Sequence, residues 1–285
     1  MTTTSGLGRF ARNPAAVVGG LLVSTFALTA ILGPLLVGED PLRQDLANNF
    51  APPSLAHWLG TDDLGRDAFS RLVHGARISL GISLTSVLCG VGVGTTVGLV
   101  SGYYRGLVDR TLMRMVDVML AFPDILLAIV VVATLGKGLG NTIAAVTFFA
   151  VPTFARLARG AALGVVAAEF VTAAQAVGAS DARVLGRHVL PNALQPILVQ
   201  ATLMMGTAIL IASGLSYLGL GVQPPDPEWG AMLSKGRELL RTAPVVAIAP
   251  GIAITLVVLG FSLMGDGLRD ALDVRSVATV RRDRR

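Results

Sequence analysis

The chain has 285 residues, of which 53% are hydrophobic and 14% are charged, and its net charge is +5. A soluble domain usually carries about 25% charged residues, so this chain has too little polar surface to cover one water-facing globule. The composition therefore argues against a soluble enzyme, a nucleic-acid-binding domain or a disordered chain, and predicts an integral membrane protein. The single cysteine, Cys89, leaves no intrachain disulfide and no cysteine-based metal site.

Six apolar stretches approach the 20 residues that cross about 30 Å of hydrocarbon as a helix. They run over about 15–37, 78–100, 119–135, 141–157, 197–220 and 244–264. The first is too long for a signal peptide and no small-residue cleavage site follows it, which favours a retained anchor. The fourth is short and is interrupted by Pro152. The sequence predicts an all-α protein with six transmembrane helices.

The orientation follows from the basic residues, which favour cytoplasmic segments. With the N-terminus inside, 15 of the 23 Lys and Arg residues fall on the cytoplasmic side. This predicts cytoplasmic N- and C-termini in a multi-pass protein of the cytoplasmic (inner) membrane. The predicted division is a cytoplasmic N-terminus (1–14), a first helix (15–37), an extracytoplasmic loop (38–77), a five-helix core (78–265) and a cytoplasmic tail (266–285).

Charged residues are scarce within the predicted spans. Asp124 directly follows Pro123, and a proline with an acid behind it is a helix-start signal, so we favour a helix start over an ion site there. Ion-coupled transporters need buried acids as binding groups, and their scarcity argues against an ion-driven secondary transporter or a channel.

One polar segment, residues 169–199, does not fit a simple bundle of spans. Its composition predicts one helix that stops at Gly178 and a second, short helix that is capped by Ser180 and begins near Asp181. Prolines at 191 and 196 are expected to end the segment. Small side chains leave a smooth surface that could dock in a groove of a partner, and the alternative is a merely solvated connector.

This segment resembles the EAA loop of binding-protein-dependent ABC importers of the type-1 fold, here about residues 165–191. Thr172-Ala173-Ala174, Gly178 and Leu190-Pro191 fall at the spacings of that motif. Thr172 replaces the motif's Glu and His188 stands at its aliphatic position, so Glu169 is a candidate substitute for the carboxylate. The resemblance implies a cytoplasmic coupling helix. It assigns ATPase coupling to Glu169, Thr172, Ala173, Ala174, Gly178, Ala179, Ser180, Asp181, Arg183, Leu190 and Pro191.

Further stretches, 60–80, 110–129 and 216–233, resemble the permeases of the dipeptide, oligopeptide and nickel branch of that family. The long loop after the first span resembles the C-type subunit. The resemblance implies alternating-access import of short peptides, with nickel, haem or glutathione as alternative cargo. The implied partners are a B-type permease in a heterodimer, two ATPase domains, an extracytoplasmic substrate-binding protein and the lipid bilayer, with no nucleic acid. Docking of the binding protein is expected at Asp62, Arg66, Asp67, Pro225 and Trp229.

Catalytic machinery is missing from the sequence. No G-x-x-x-x-G-K-[ST] loop occurs, so we expect no cofactor in this chain, no enzymatic activity, and ATP and Mg²⁺ bound by separate ATPase subunits. His57, His74 and His188 lie in different segments, so no metal site is expected. Met204, Met205 and Ser213 are candidates for the translocation pathway, with packing as the alternative. Gly90, Gly94 and Gly98 share one helix face, which favours close helix packing over a dinucleotide site.

Overall fold

The computed structural model describes Gly8 and residues 10–272, so parts of the predicted N-terminal segment 1–14 and of the tail 266–285 lie outside the described residues. The described chain forms ten α-helices. They are α1 (Pro14–Leu36), α2 (Ala68–Tyr104), α3 (Gly106–Leu120), α4 (Asp124–Leu135), α5 (Leu139–Val166), α6 (Glu169–Ala176), α7 (Asp181–Val184), α8 (Leu190–Tyr217), α9 (Trp229–Leu239) and α10 (Pro244–Leu272). A 3₁₀ turn (Leu46–Asn48) lies between α1 and α2, and a π-helical turn (Leu185–Val189) joins α7 to α8.

Five of the predicted spans are confirmed as helices long and apolar enough to cross a membrane: α1, α2, α5, the continuous helix Asp181–Tyr217, and α10. α2 begins at Ala68, well before the predicted residue 78, because Asp67 caps it by accepting a hydrogen bond from the Ser70 N–H at 2.6 Å. The predicted loop 38–77 is therefore shorter in the structure.

The third predicted span is not one straight helix. α3 and α4 meet at a bend of 95°, and α4 alone has 12 residues, which is about 18 Å of helix. Pro123 lacks an N–H and disfavours helical geometry at Phe122, so the helix breaks between Leu120 and Asp124. The expected helix start at Asp124 is confirmed, and the number of spans is six when the bent pair is counted as one broken span and five when it is counted as a re-entrant loop.

The fourth span is longer than predicted. Pro152 lies inside α5 without ending it, and its side chain is buried. In a membrane protein, neighbouring helices can satisfy the backbone groups that a proline frees.

The glycine face predicted on α2 packs against α5. A Cβ built on Gly90 would lie 2.6 Å from the Ala150 Cβ, and one on Gly94 would lie 2.5 Å from the Val151 carbonyl oxygen. Since real Cβ atoms do not approach that closely, only glycine permits this contact, and the packing interpretation is confirmed. Buried side chains of α2, α5 and α8 form the largest core cluster.

The two ends of the bundle are distinct. We call the end that carries residues 37–67, 136–138 and 218–243 the outer end, and the end that carries residues 167–189 the inner end.

At the inner end Arg159 holds α3 against α5, because its Nε and Nη2 lie 2.5 and 2.6 Å from the two carboxylate oxygens of Asp109.

Candidate functional site

The inner end carries the predicted helix–glycine–helix segment, and the structure confirms its local geometry. α6 ends before Val177, and Gly178 has φ +84°, a left-handed conformation that suits glycine. The N–H of Gly178 donates to the Gln175 carbonyl (2.9 Å) and that of Ala179 to the Ala174 carbonyl (3.0 Å). These bonds satisfy carbonyls at the end of α6 and turn the chain sharply into α7.

Ser180 occupies the N-cap position of α7, but its side chain makes no capping hydrogen bond, so that part of the prediction is wrong. The polar contacts of this region are instead directed at α2. The Tyr103 hydroxyl donates to Oδ1 of Asp181 at 2.7 Å and accepts from Nε2 of Gln175 at 3.1 Å. One tyrosine at the inner end of α2 therefore bridges both short helices, and the sequence analysis missed it.

Buried valines anchor the segment to the bundle. Val171, Val184 and Val189 are fully buried. The residues assigned to coupling are mostly on the other side: Glu169, Thr172, Ala173, Gly178, Ser180, Asp181, Arg183 and Pro191 are exposed, and Ala174, Ala179 and Leu190 are half-buried. The segment is thus fixed on its inward face, and its outward face mixes small residues such as Ala173 and Gly178 with the larger side chains of Phe170, Val177 and Arg183.

The prolines are expected to end the segment where the fifth span begins; α8 does begin at Leu190, but no break separates it from α7. Pro191 lies in the first turn of α8 and Pro196 lies inside it, and the helix is continuous from Asp181 to Tyr217. Pro191 has no N–H to donate to the carbonyl of Arg187, and its ring would clash there in a regular α-helix. The π-helical turn Leu185–Val189 widens the backbone at this point, which removes the need for a break.

Most residues at which docking of a binding protein is expected are buried in the structure of this chain. Asp62, Arg66 and Asp67 are 6%, 8% and 5% exposed. Arg66 Nε lies 2.8 Å from Asp62 Oδ2, and Arg71 Nε lies 3.6 Å from the same oxygen. These ion pairs neutralise the buried charges and hold the loop together. Of the predicted docking residues only Pro225 is exposed. Docking of a binding protein stays a prediction.

Trp229 lies at the start of α9 and is 1% exposed. Its indole N–H donates to the Leu72 carbonyl at 2.9 Å, and its ring meets Phe26 edge-on with centroids 5.7 Å apart. Gly75 leaves room for the ring, since a Cβ there would lie 2.9 Å from Trp229 Cδ1. The tryptophan therefore pins α9 between α1 and α2 and is not an exposed contact.

The preceding residue, Glu228, is fully buried, and the sequence analysis missed it. Its carboxylate caps α9 by accepting from the N–H groups of Gly230 (3.0 Å) and Ala231 (2.8 Å). It also accepts from the Ser79 hydroxyl of α2 at 3.3 Å. Burial raises the pKa of Glu228, and the N–H donors oppose that shift only in part. The sequence does contain a signal for this helix cap, because Glu228 is an acid that stands between Pro227 and the start of a helix.

Met204 and Ser213 lie inside the helix bundle, 4% and 6% exposed, which favours the packing interpretation for both. Met205 is half-buried, and its carbonyl accepts from the Ser83 hydroxyl of α2 at 2.8 Å. A role of these residues in the pathway stays a prediction.

One group of potential metal ligands occurs among the described residues: Glu39, His57 and Asp67, whose ligand atoms lie within 4.8 Å of one another. Asp67 already uses one oxygen to cap α2, and the other lies 3.0 Å from His57 Nδ1. Both carboxylate oxygens of Asp67 thus have partners within the fold, and these contacts hold the loop before α2 in place. His188 lies at the inner end, apart from the other two histidines.

Comparison with known proteins decides the family. Residues 94–277 match the model of the binding-protein-dependent transport system inner membrane component, and residues 6–53 match that of the N-terminal transmembrane domain of oligopeptide transport permease C. The chain belongs to this family of binding-protein-dependent transport components. It is therefore a multi-pass protein of the inner membrane, as the sequence predicted.

The relatives of this transport component are permease proteins. The chain is 48% identical to the dipeptide transport system permease protein DppC of Alkalihalophilus pseudofirmus, over 92% of this chain and 86% of that one. It is also 48% identical to the glutathione transport system permease protein GsiD of Escherichia coli O157:H7, over 93% and 88%.

A solved structure shows the same fold. The inward-facing MetNI methionine ABC transporter contains a chain that superposes with a TM-score of 0.58 at 21% identity, covering 70% of this chain and 95% of that one. The type-1 ABC importer fold expected from the sequence is confirmed.

Proposed function

We propose that the chain is a permease subunit of an ATP-driven ABC importer that carries short peptides across the inner membrane by alternating access. The observation that carries this proposal is the family match together with the exposed inner-end segment 169–191, whose helices are braced on α2. Dipeptide transport by the relative at 48% identity supports the peptide cargo.

The proposed assembly pairs this chain with a second, similar permease, two ATPase domains and an external binding protein. ATP and Mg²⁺ are held by the ATPases, and this chain performs no chemical step. Closure of the ATPases pushes on the segment 169–191, and the bundle switches between inward- and outward-facing states. The buried valines beneath the segment support this role, because a rigidly seated segment transmits a displacement where a loose loop absorbs it.

Gly178 gives the sharpest test of coupling, and Gly164, which lies outside the segment 169–191, is its matched control. Both are exposed, and a Cβ on either meets nothing within 4 Å, but only Gly178 has a positive φ. A side chain at Gly178 therefore strains the turn by about 1–3 kcal/mol without any clash. We expect Gly178→Leu, like deletion of 172–181, to abolish peptide uptake and ATPase co-purification, and Gly164→Leu to preserve both. Normal uptake by Gly178→Leu and the deletion would refute the coupling role.

Glutathione is the second candidate cargo, and it is favoured by the equal identity of the glutathione permease. Mass spectrometry of the ligand that co-purifies with the binding protein separates the two. Uptake of labelled dipeptide, competed by excess glutathione, gives an independent answer. Uptake that survives ATP depletion but collapses with the proton gradient would point instead to an ion-driven transporter.

A further inference from the structure

An apolar groove lies between α1, α2, α8 and α10, apart from the inner-end segment and the outer loops. Its volume is about 780 Å³, within the range of about 300–1,000 Å³ that ligand pockets occupy. The walls are apolar side chains such as Ile31, Leu84, Leu88 and Phe261, and Arg77 is the one charged residue among those that line it. Ile31, Leu84 and Leu88 are 67%, 50% and 61% exposed, so the groove is open to the surface of the bundle.

The groove lies at membrane depth. Gly33 of α1 packs directly on Val73 of α2, which places these two residues at one level. Arg77 follows Val73 by one helical turn, and Leu36 ends α1 three residues beyond Gly33. At 1.5 Å per residue, the Cα of Arg77 lies about 10 Å below the outer end of α1. From that depth its long side chain reaches toward the headgroup region.

Arg77 has no partner within the part of the chain that the structure describes. Its side chain is exposed and makes no ion pair or hydrogen bond with any described residue. Charged groups within a bilayer almost always pair, since an unpaired one is unfavourable there. Arg71, six residues nearer the outer end, shows the contrast, because it contacts Asp62 and the Pro41 carbonyl.

We propose that this groove is a phospholipid site: the Arg77 guanidinium binds the lipid phosphate and an acyl chain fills the apolar groove. Arginine matches the planar, bidentate geometry of phosphate oxygens. An open apolar groove at this depth is filled by acyl chains and not by water, because its lining offers water almost no hydrogen-bonding partner. The phosphate and the chain therefore bind as one molecule, which favours a lipid over a soluble phosphate.

Two variants test the two halves of the site. Arg77→Gln removes the phosphate ligand, and its matched control is Arg241→Gln at the exposed outer end. Gly81→Leu fills the groove, because Gly81 lines it and a Cβ there meets nothing within 4 Å. Gly92→Leu is the matched control: it lies on the same helix, is exposed, and has equal space, but does not line the groove.

The measurement is native mass spectrometry of the transporter, purified with the subunits it assembles with and titrated with phosphatidylglycerol. We expect both site variants to weaken retention about tenfold or more, as loss of a charge-assisted contact implies, and both controls to match the unmodified protein. Excess inorganic phosphate should leave the bound lipid in place, and displacement by it would overturn the proposal in favour of a simple anion site. Equal retention by all variants would also overturn it, as would crosslinks from position 81 to a helix of a partner subunit.

Discussion

We expect the buried carboxylate of Glu228 to stabilise the outer end of the bundle, by an amount that can be worked out from its contacts. Glu228→Ala removes the acceptor for the N–H groups of Gly230 and Ala231 and for the Ser79 hydroxyl. Loss of an N-cap costs about 0.5–2 kcal/mol, and leaving a buried donor unsatisfied costs about 1–3 kcal/mol. Some of the freed donors bind water instead, which recovers part of these costs. We therefore expect the free energy of unfolding to fall by about 2–4 kcal/mol.

The assay is thermal unfolding of the purified protein in detergent, with Glu238→Ala as the control. Glu238 lies on the same helix, but its side chain is 61% exposed, so its removal should change stability by about 0.5 kcal/mol or less. If Glu228→Ala unfolds at the same temperature as Glu238→Ala, the carboxylate does not pin α9 to α2 and the reasoning is refuted.

The pH dependence of the same site has a defined sign. Burial raises the pKa of Glu228, so the folded protein binds this proton more tightly than the unfolded chain does. Its stabilising contribution is complete below the ordinary glutamate pKa and is lost as the pH rises through the folded value. Glu228→Gln cannot titrate. We expect the stability of the unmodified protein to fall relative to Glu228→Gln as pH rises, and a constant difference would contradict the raised pKa.

Three further changes have expected outcomes. Gly94→Leu should prevent α2 from packing on α5 and lower the yield of folded protein, whereas Gly92→Leu, with open space around it, should leave yield unchanged; equal yields would contradict the packing. Tyr103→Phe removes the bridge to Asp181 and Gln175 and should uncouple ATP hydrolysis from peptide uptake while changing stability by only about 0.5–1.5 kcal/mol; tight coupling in this variant would refute the brace. Asp62→Ala removes the close partner of buried Arg66, leaving only Asp63 at 3.9 Å, and should destabilise the fold by about 3–5 kcal/mol. Asp226→Ala, at an exposed site, should not, and unfolding measurements compare the two.

The spans and their glycine packing could be predicted because each depends on a local property of the sequence. Long apolar runs predict helices that cross a bilayer, and glycines four residues apart predict a face that admits another helix. The inner-end turn was also predictable, since Gly178 supplies the positive φ that ends α6. The bend between α3 and α4 was only half visible: Pro123 indicates a break, but the 95° angle depends on what the two helices pack against.

The outer end could not be predicted, because polar residues in a loop usually face water. Asp62 and Arg66 are buried because each neutralises the other, and Glu228 is buried because backbone donors of α9 surround it. These partners lie close in the chain, but their burial depends on distant residues that cover them: Ser79, which also donates to Glu228, is 149 positions away. The acid before α9 indicates a helix cap, but no local pattern shows that the cap is buried against α2.

The long helix α2 connects the outer and inner ends of the bundle. Its 37 residues extend about 55 Å, farther than the thickness of a bilayer core. Tyr103 near its inner end bonds the segment 169–191, whereas Leu72 and Ser79 near its outer end bond Trp229 and Glu228. Between them the glycine face locks α2 to α5, so the two helices resist sliding past each other. If the segment couples to ATPases as proposed, we therefore expect its displacement to move α2 as a rigid element and α9 at the outer end with it.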